Sequence, residues 1–233
     1  MKDYEALSRA HFDRQAAEYD ARDTWYWSRQ GKISCRDIDA FLANRPFETI
    51  LDVGCATGYL AELLAARRPV AYTGLDIAAE MVRVASAKNI PGATFVQGAA
   101  DRLPFADASF DVVACSQSFH HYPRQDEAMR EALRVLRPGG LYVLSDTGWG
   151  GPCAWFDNHV LFPLLRSGDF RVQSRRSLGR QMVRNGFDVI ASRSLGRMIY
   201  TVVGRKLPSV PRPPPGSIAR RMIDSFVSGQ TTG

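Results

Sequence analysis

The chain has 233 residues, 45% of them hydrophobic and 23% charged, enough for one α/β domain with a sizeable core. No apolar run approaches the roughly 20 residues of a membrane span, the charged start Met1-Lys2-Asp3-Tyr4-Glu5 lacks a signal core, and Cys35, Cys55, Cys115 and Cys153 form no Cys-x-x-Cys pair. Membrane span, export, disulfide framework and zinc site are therefore disfavoured, and a cytoplasmic protein with reduced thiols is expected.

The elements follow in chain order. Residues 3–20 and 28–42 carry apolar and aromatic side chains at helical spacing, the second ending before Pro46. Between them lies the aromatic cluster Trp25-Tyr26-Trp27. Apolar runs predict buried strands at 49–53, 70–76, 93–97, 110–115 and 140–145, alternating with helices at 59–68, 78–87 and 126–136. That alternation is the pattern of βαβ units around a parallel sheet. Residues 147–174, rich in glycine and aromatics, interrupt it and read as a lid-like insertion. A helix at 177–185 and strands at 187–194 and 197–204 follow, the two strands joined by Leu195-Gly196 alone as in a hairpin. Five prolines between Pro208 and Pro215 mark a stiff segment, and residues 217–227 fit either a short helix or disorder. The expected organisation is one domain over 1–206, with a helical cap at 1–46, and a Pro-rich tail at 207–233.

The chemistry concentrates in Ile50-Leu51-Asp52-Val53-Gly54-Cys55-Ala56-Thr57-Gly58, where a buried strand meets a glycine turn and then a helix. Gly54 and Gly58 permit positive φ and a close approach of ligand to backbone. A carboxylate at Asp52, two residues before the turn, would repel a pyrophosphate and attract a cationic amino or sulfonium group. The spacing also departs from G-x-G-x-x-G, so a nicotinamide dehydrogenase is disfavoured. The next strand ends at Asp76, placed to accept hydrogen bonds from two ribose hydroxyls, although a plain helix-capping role is open to it. Asp101 follows strand three, where an adenine ring would stack.

Asp52 to Gly58, Asp76, the stretch from Leu103-Pro104-Phe105 to Ser109-Phe110-Asp111, and Leu133-Arg134-Val135-Leu136-Arg137-Pro138-Gly139-Gly140 together resemble the class I methyltransferases. The branch most similar includes ubiquinone/menaquinone-type C-methyltransferases and natural-product enzymes, and the resemblance covers about residues 12–205. It implies a Rossmann-like α/β fold with a seven-stranded, mostly parallel sheet of order 3-2-1-4-5-7-6 and S-adenosyl-L-methionine as methyl donor. It further implies a donor cleft formed by Asp52, Gly54, Cys55, Gly58, Asp76, Ile77, Met81, Ala100, Asp101 and Ser116, with Tyr19 closing from the N-terminal side. Two positions depart from the family pattern. Ala56 stands where a glycine is usual, and Ala99 where an acid is common, which leaves the adenine contact to Asp101.

Ser116-Gln117-Ser118-Phe119-His120-His121-Tyr122 is the expected acceptor wall. His120 and His121 are candidate general bases or structural histidines, and Trp25, Trp27, Phe119, Trp149 and Trp155 are candidate linings of an apolar acceptor pocket. No metal is expected. The expected reaction is methyl transfer to a small-molecule acceptor, apolar or aromatic. Two alternatives stand beside it: an RNA or protein methyltransferase, and a protein of this fold that binds S-adenosylmethionine without transfer. From Arg166 onward 13 lysines and arginines face three acids. These cations are spread out rather than clustered, which disfavours nucleic acid as a partner. Oligomeric state is not legible.

Overall fold

The computed structural model describes residues 3–20, 26–165 and 168–208, with the side chains of residues 26–28 left aside. Trp25, the side chain of Trp27 and the segment 209–233 thus lie outside the described residues. The order of elements is α1 (Tyr4–Gln15), α2 (Tyr26–Leu42), β1 (Thr49–Val53), α3 (Tyr59–Ala65), β2 (Ala71–Asp76), α4 (Ala79–Ala87), β3 (Ala93–Gln97), β4 (Phe110–Ser116), α5 (Gln125–Val135) and β5 (Leu136–Thr147). It continues with α6 (Gly151–Phe156), which runs through a π turn at Asp157–Leu161 into α7 (Phe162–Leu164), then α8 (Arg175–Arg184), β6 (Phe187–Ser194) and β7 (Ile199–Lys206). Among the described residues no helix is long and apolar enough to cross a membrane.

The seven strands form one sheet in the order β3-β2-β1-β4-β5-β7-β6, as the resemblance implies. The first five are parallel, and β7 lies antiparallel between β5 and β6. Successive side chains of a strand point to opposite faces, and both faces are apolar. Ile50, Val112, Val143 and Val203 pack against Ile38, Phe41 and Leu42 of α2 and Leu60 and Leu64 of α3. Their neighbours Leu51, Val113, Leu144 and Val202 pack on the other side against Met129 and Ala132 of α5 and Leu178 and Met182 of α8. Burial on both faces explains why these strands read as continuous apolar runs.

Two expectations need correction. The last strands are joined by residues 195–198, not by Leu195-Gly196 alone. The Leu195 N–H donates to the Ile199 carbonyl at 2.9 Å, and β7 begins at Ile199, where it starts pairing with Thr147. β5 is longer than 140–145, because Leu136 already pairs with Phe110 before the register shifts.

The loops after β1, β2, β3 and β4 gather at the carboxyl edge of the sheet, the usual place for a ligand in an open α/β fold. α1 crosses that edge. Asp13 Oδ1 accepts from the Glu80 N–H at the start of α4 (3.0 Å), and Ala16, Phe12 and Tyr19 pack on Ala78 and Met81.

Candidate active site

A cleft of about 1180 Å³, counting its open mouth, lies beneath α1 at this edge. Its wall includes Tyr19, Asp52, Gly54, Cys55, Asp76, Ile77, Met81, Ala100, Asp101, Ser116 and His121. Ten of the eleven residues expected to hold the donor are thus brought together, and Gly58 is the exception. Gly58 takes φ +83° at the start of α3, and a Cβ there would lie 2.9 Å from the Phe95 ring. Its role is to let the chain enter the helix.

The turn after β1 needs its first glycine for a different reason. Gly54 takes φ +81°, and an added Cβ would lie 2.5 Å from Ser118 Cβ. The Gly54 and Cys55 N–H groups donate to the Leu75 carbonyl, which ties the turn to the end of β2. Ala56, at φ +46°, is held in the left-handed region by its N–H, which donates to Asp76 Oδ2 at 2.9 Å.

Two buried carboxylates face the cleft. Asp76 is 7% exposed; Oδ2 serves Ala56, and Oδ1 accepts from the Ala78 N–H at 2.9 Å. Burial raises its pKa to about 6, against the pull of these backbone N–H groups. Asp52 is 2% exposed. Its Oδ2 accepts a 2.6 Å bond from the Tyr72 hydroxyl, while Oδ1 is buried with no hydrogen-bond partner. Burial pushes this carboxyl to about 7; the Tyr72 bond opposes the rise and nearby Asp76 adds to it. A buried, unsatisfied carboxylate oxygen costs free energy unless a donor or cation meets it, so the cleft is suited to a ligand that brings positive charge to Asp52.

Side-chain latches hold the N-terminal cap over the cleft. The Thr57 hydroxyl donates to Asp20 at 2.5 Å, Lys88 pairs with Asp20 and Glu62 at 2.7 and 2.8 Å, and Arg124 grips both Asp101 and Glu5. Asp101 therefore lines the cleft with its carboxylate already engaged by Arg124.

The wall after β4 is braced by Tyr122, whose hydroxyl donates to the Val53 carbonyl and accepts from Ser118, both at 3.0 Å. His121 lines the cleft, and His120 stands behind it with ring centroids 4.2 Å apart. Asp146, near the end of β5, binds the His120 ring at Nδ1 (2.6 Å) and accepts from its backbone N–H (2.9 Å). Burial disfavours the charged form of His120, but Asp146 and then Asp169 outweigh it and raise its pKa. Burial and neighbouring His120 push His121 down, with Asp169 opposing.

Of the aromatic residues assigned to the acceptor side, the described ones, Phe119, Trp149 and Trp155, are not on this wall. Phe119 is 1% exposed in the main core, because its place in the short turn after β4 points it under the sheet edge. Trp149 packs on Ala154, Phe162 and Val172 and donates its ring N–H to Asp157 at 2.8 Å. Trp155 is 60% exposed and stacks on His159. Trp149, Ala154, Phe162 and Val172 thus form a small cluster of their own. Tyr72, Asp20, Lys88, Arg124, Asp146 and Asp169 escaped the sequence reading. Asp146, on the strand next to β4, was the one with a usable signal, an acid directly after the predicted apolar strand 140–145.

The sheet order and the cleft at its carboxyl edge are those of a Rossmann-like α/β fold. Residues 51–144 match the family model described as a methyltransferase domain. The chain is 46% identical over 99 residues to a fatty-acid O-methyltransferase of Mycolicibacterium smegmatis, a match covering 42% of this chain and 36% of that protein. It is 34% identical over 140 residues to phthiotriol/phenolphthiotriol dimycocerosates methyltransferase 1 of Mycobacterium ulcerans, covering 58% of this chain and 49% of that one. The chain thus spans about a third to a half of the length of these curated relatives. The fold is similar to that of Burkholderia thailandensis 1,6-didemethyltoxoflavin-N1-methyltransferase, solved with its acceptor and S-adenosylhomocysteine. That likeness has a TM-score of 0.67 at 20% identity and covers 88% of this chain and 89% of that one.

Proposed function

We propose that the chain is an S-adenosylmethionine-dependent methyltransferase whose acceptor is an oxygen atom, carboxyl or hydroxyl, on a small lipophilic molecule. The observation that carries the reading is the convergence of Asp52 and Asp76 on one cleft, with Asp52 Oδ1 buried and unpartnered. When bound, S-adenosylmethionine supplies a methyl group on a sulfonium, open to in-line displacement by the acceptor. Asp52 holds the donor's positive charge, Asp76 accepts from the ribose hydroxyls with the lone pairs that Ala56 and Ala78 leave free, and the Gly54 turn lets the donor lie against backbone. Ile77, Met81 and Ala100 provide apolar surface for the adenine, and α1 with Tyr19 excludes water. The acceptor side is the wall carrying His121, an imidazole able to hold the acceptor oxygen. A carboxylate acceptor needs no proton removed, whereas a hydroxyl does.

The lipophilic acceptor is supported by the printed activities of the two curated relatives, one acting on fatty acids and the other on phthiotriol dimycocerosates. Calorimetric titration with S-adenosylmethionine and S-adenosylhomocysteine tests the donor half, and micromolar binding of both is expected. The acceptor half is tested by S-adenosylhomocysteine formation with long-chain fatty acids, long-chain alcohols and small polar acids. Turnover of the polar acids alone would overturn the acceptor class, and absence of donor binding in folded protein would overturn the reading as a whole.

A further inference from the structure

His120, His121 and Asp169 converge, and each offers one ligand atom, all lying within 4.8 Å of one another. Asp169 Oδ1 is 3.6 Å from His120 Nε2 and 3.6 Å from His121 Nδ1. Two ligands bound at about 2.1 Å to a tetrahedral ion lie about 3.4 Å apart, so both distances are close to what one ion requires. We propose that these three side chains form a binding site for a divalent first-row metal ion, with Zn²⁺ the first candidate, at the edge of the cleft.

Three further features fit a built site. Asp146 accepts a hydrogen bond from His120 Nδ1 (2.6 Å), so Nε2, 3.6 Å from Asp169, is the ring nitrogen through which His120 would meet an ion. A carboxylate behind a histidine is the usual outer support of a metal-bound imidazole. His121 Nδ1 is buried and has no hydrogen-bond partner, the condition of a ligand atom rather than of a solvated side chain. The segment bearing Asp169 is fastened to the histidines by backbone: the Phe170 and Arg171 N–H groups both donate to the His120 carbonyl, at 3.0 and 2.9 Å. Two imidazoles and one carboxylate suit Zn²⁺, Co²⁺ or Fe²⁺ better than Mg²⁺ or Ca²⁺, which prefer oxygen donors. His121 also lines the cleft, which sets the site at the cleft's edge. The site itself rests on the geometry of the triad and holds whether or not the chain transfers methyl groups.

The test uses the full chain without a polyhistidine tag, stripped of metal with a chelator and titrated with Co²⁺ by visible absorption and with Zn²⁺ by calorimetry. One ion per chain is expected, with micromolar or tighter affinity and the ligand-field bands of a site below octahedral coordination. Asp169→Asn should weaken binding at least tenfold. Asp146→Asn, which leaves all three ligands in place, should weaken it by about ten- to a hundredfold. Circular dichroism and a cooperative thermal transition for each variant show that it is folded. Failure of the wild-type chain to bind either ion would overturn the proposal, as would unchanged affinity in both variants, which would put the ion elsewhere.

Discussion

Burial raises both cleft carboxyls, but their partners differ, and so do their expected roles. Asp76 is held by two backbone N–H groups and stays fixed, while Asp52 has one oxygen on Tyr72 and one unsatisfied. On the proposed donor reading, replacing Asp76 with alanine would remove two charge-assisted hydrogen bonds to the donor ribose, each worth roughly 1.5–3 kcal/mol. Donor affinity should fall at least tenfold by calorimetry, and an unchanged affinity would show that the ribose lies elsewhere. The pH dependence follows from the raised values, about 6 for Asp76 and about 7 for Asp52. A carboxyl whose folded pKa lies above its unfolded one contributes stability that is full below about pH 4. That contribution is lost as pH rises through 6 to 7. A cationic donor needs the ionised form, so affinity for S-adenosylmethionine should increase from pH 5 to pH 8. The gain should be smaller for S-adenosylhomocysteine, which lacks the sulfonium charge, and smaller again in Asp52→Asn. Equal pH profiles for the two ligands would separate Asp52 from the donor's charge.

At the scale of elements, the β1–turn–α3 unit departs at Ala56 from the glycine pattern it otherwise resembles, and the structure gives the cost. An L-residue in the left-handed region is strained by roughly 1–2 kcal/mol, and Ala56 sits there at φ +46°. Glycine would relieve that strain while gaining roughly 0.5–1 kcal/mol of unfolded-state freedom. Ala56→Gly should therefore stabilise the protein by up to about 1 kcal/mol, seen as a higher denaturation midpoint at unchanged slope. A lower midpoint would mean that the alanine methyl, packed with Ala78 and Met81, contributes more than the strain costs. The same unit shows why much of the fold was legible. Ile50 and Leu51 face opposite apolar layers, so the strand reads as an unbroken run, and the glycines mark where the backbone must turn. Asp169 was not legible as a partner of His121. It lies 48 residues further on, in a segment without periodicity, and is brought back by contacts such as the Phe170 and Arg171 N–H groups on the His120 carbonyl. Trp149 and Trp155 misled because composition shows that aromatics are present, not which surface they cover. Trp149 closes a small cluster with Phe162, and Trp155 turns outward.

Across the whole molecule the two edges of the sheet divide the work. At the amino edge Asp111 ties three strands together. Its Oδ2 accepts from the Glu48 and Thr49 N–H groups and the Thr49 hydroxyl at 2.9–3.0 Å, and its Oδ1 accepts from Arg137 at 2.6 Å. Burial alone would raise this carboxyl, but Arg137 and the Glu48 and Thr49 donors outweigh it and hold it at about 2. A depressed carboxylate contributes stability above its unfolded value near pH 4, and loses it as pH falls toward 2. Asp111→Asn should thus cost about 1–3 kcal/mol at neutral pH, less at pH 3, and leave donor affinity unchanged, because no atom of the staple reaches the cleft. At the carboxyl edge Arg124 joins α1 to the loop after β3 through Glu5 and Asp101, and its half-exposed guanidinium adds little to stability. Arg124→Ala should leave the unfolding midpoint nearly fixed while speeding release of S-adenosylhomocysteine severalfold in stopped flow, because α1 then covers the cleft with one latch fewer. Unchanged release would mean that Asp20 with Thr57 and Lys88 suffices to keep the cap closed. Slowed release would mean that Arg124 holds the cap open, and the roles assigned to the two edges would have to be redrawn.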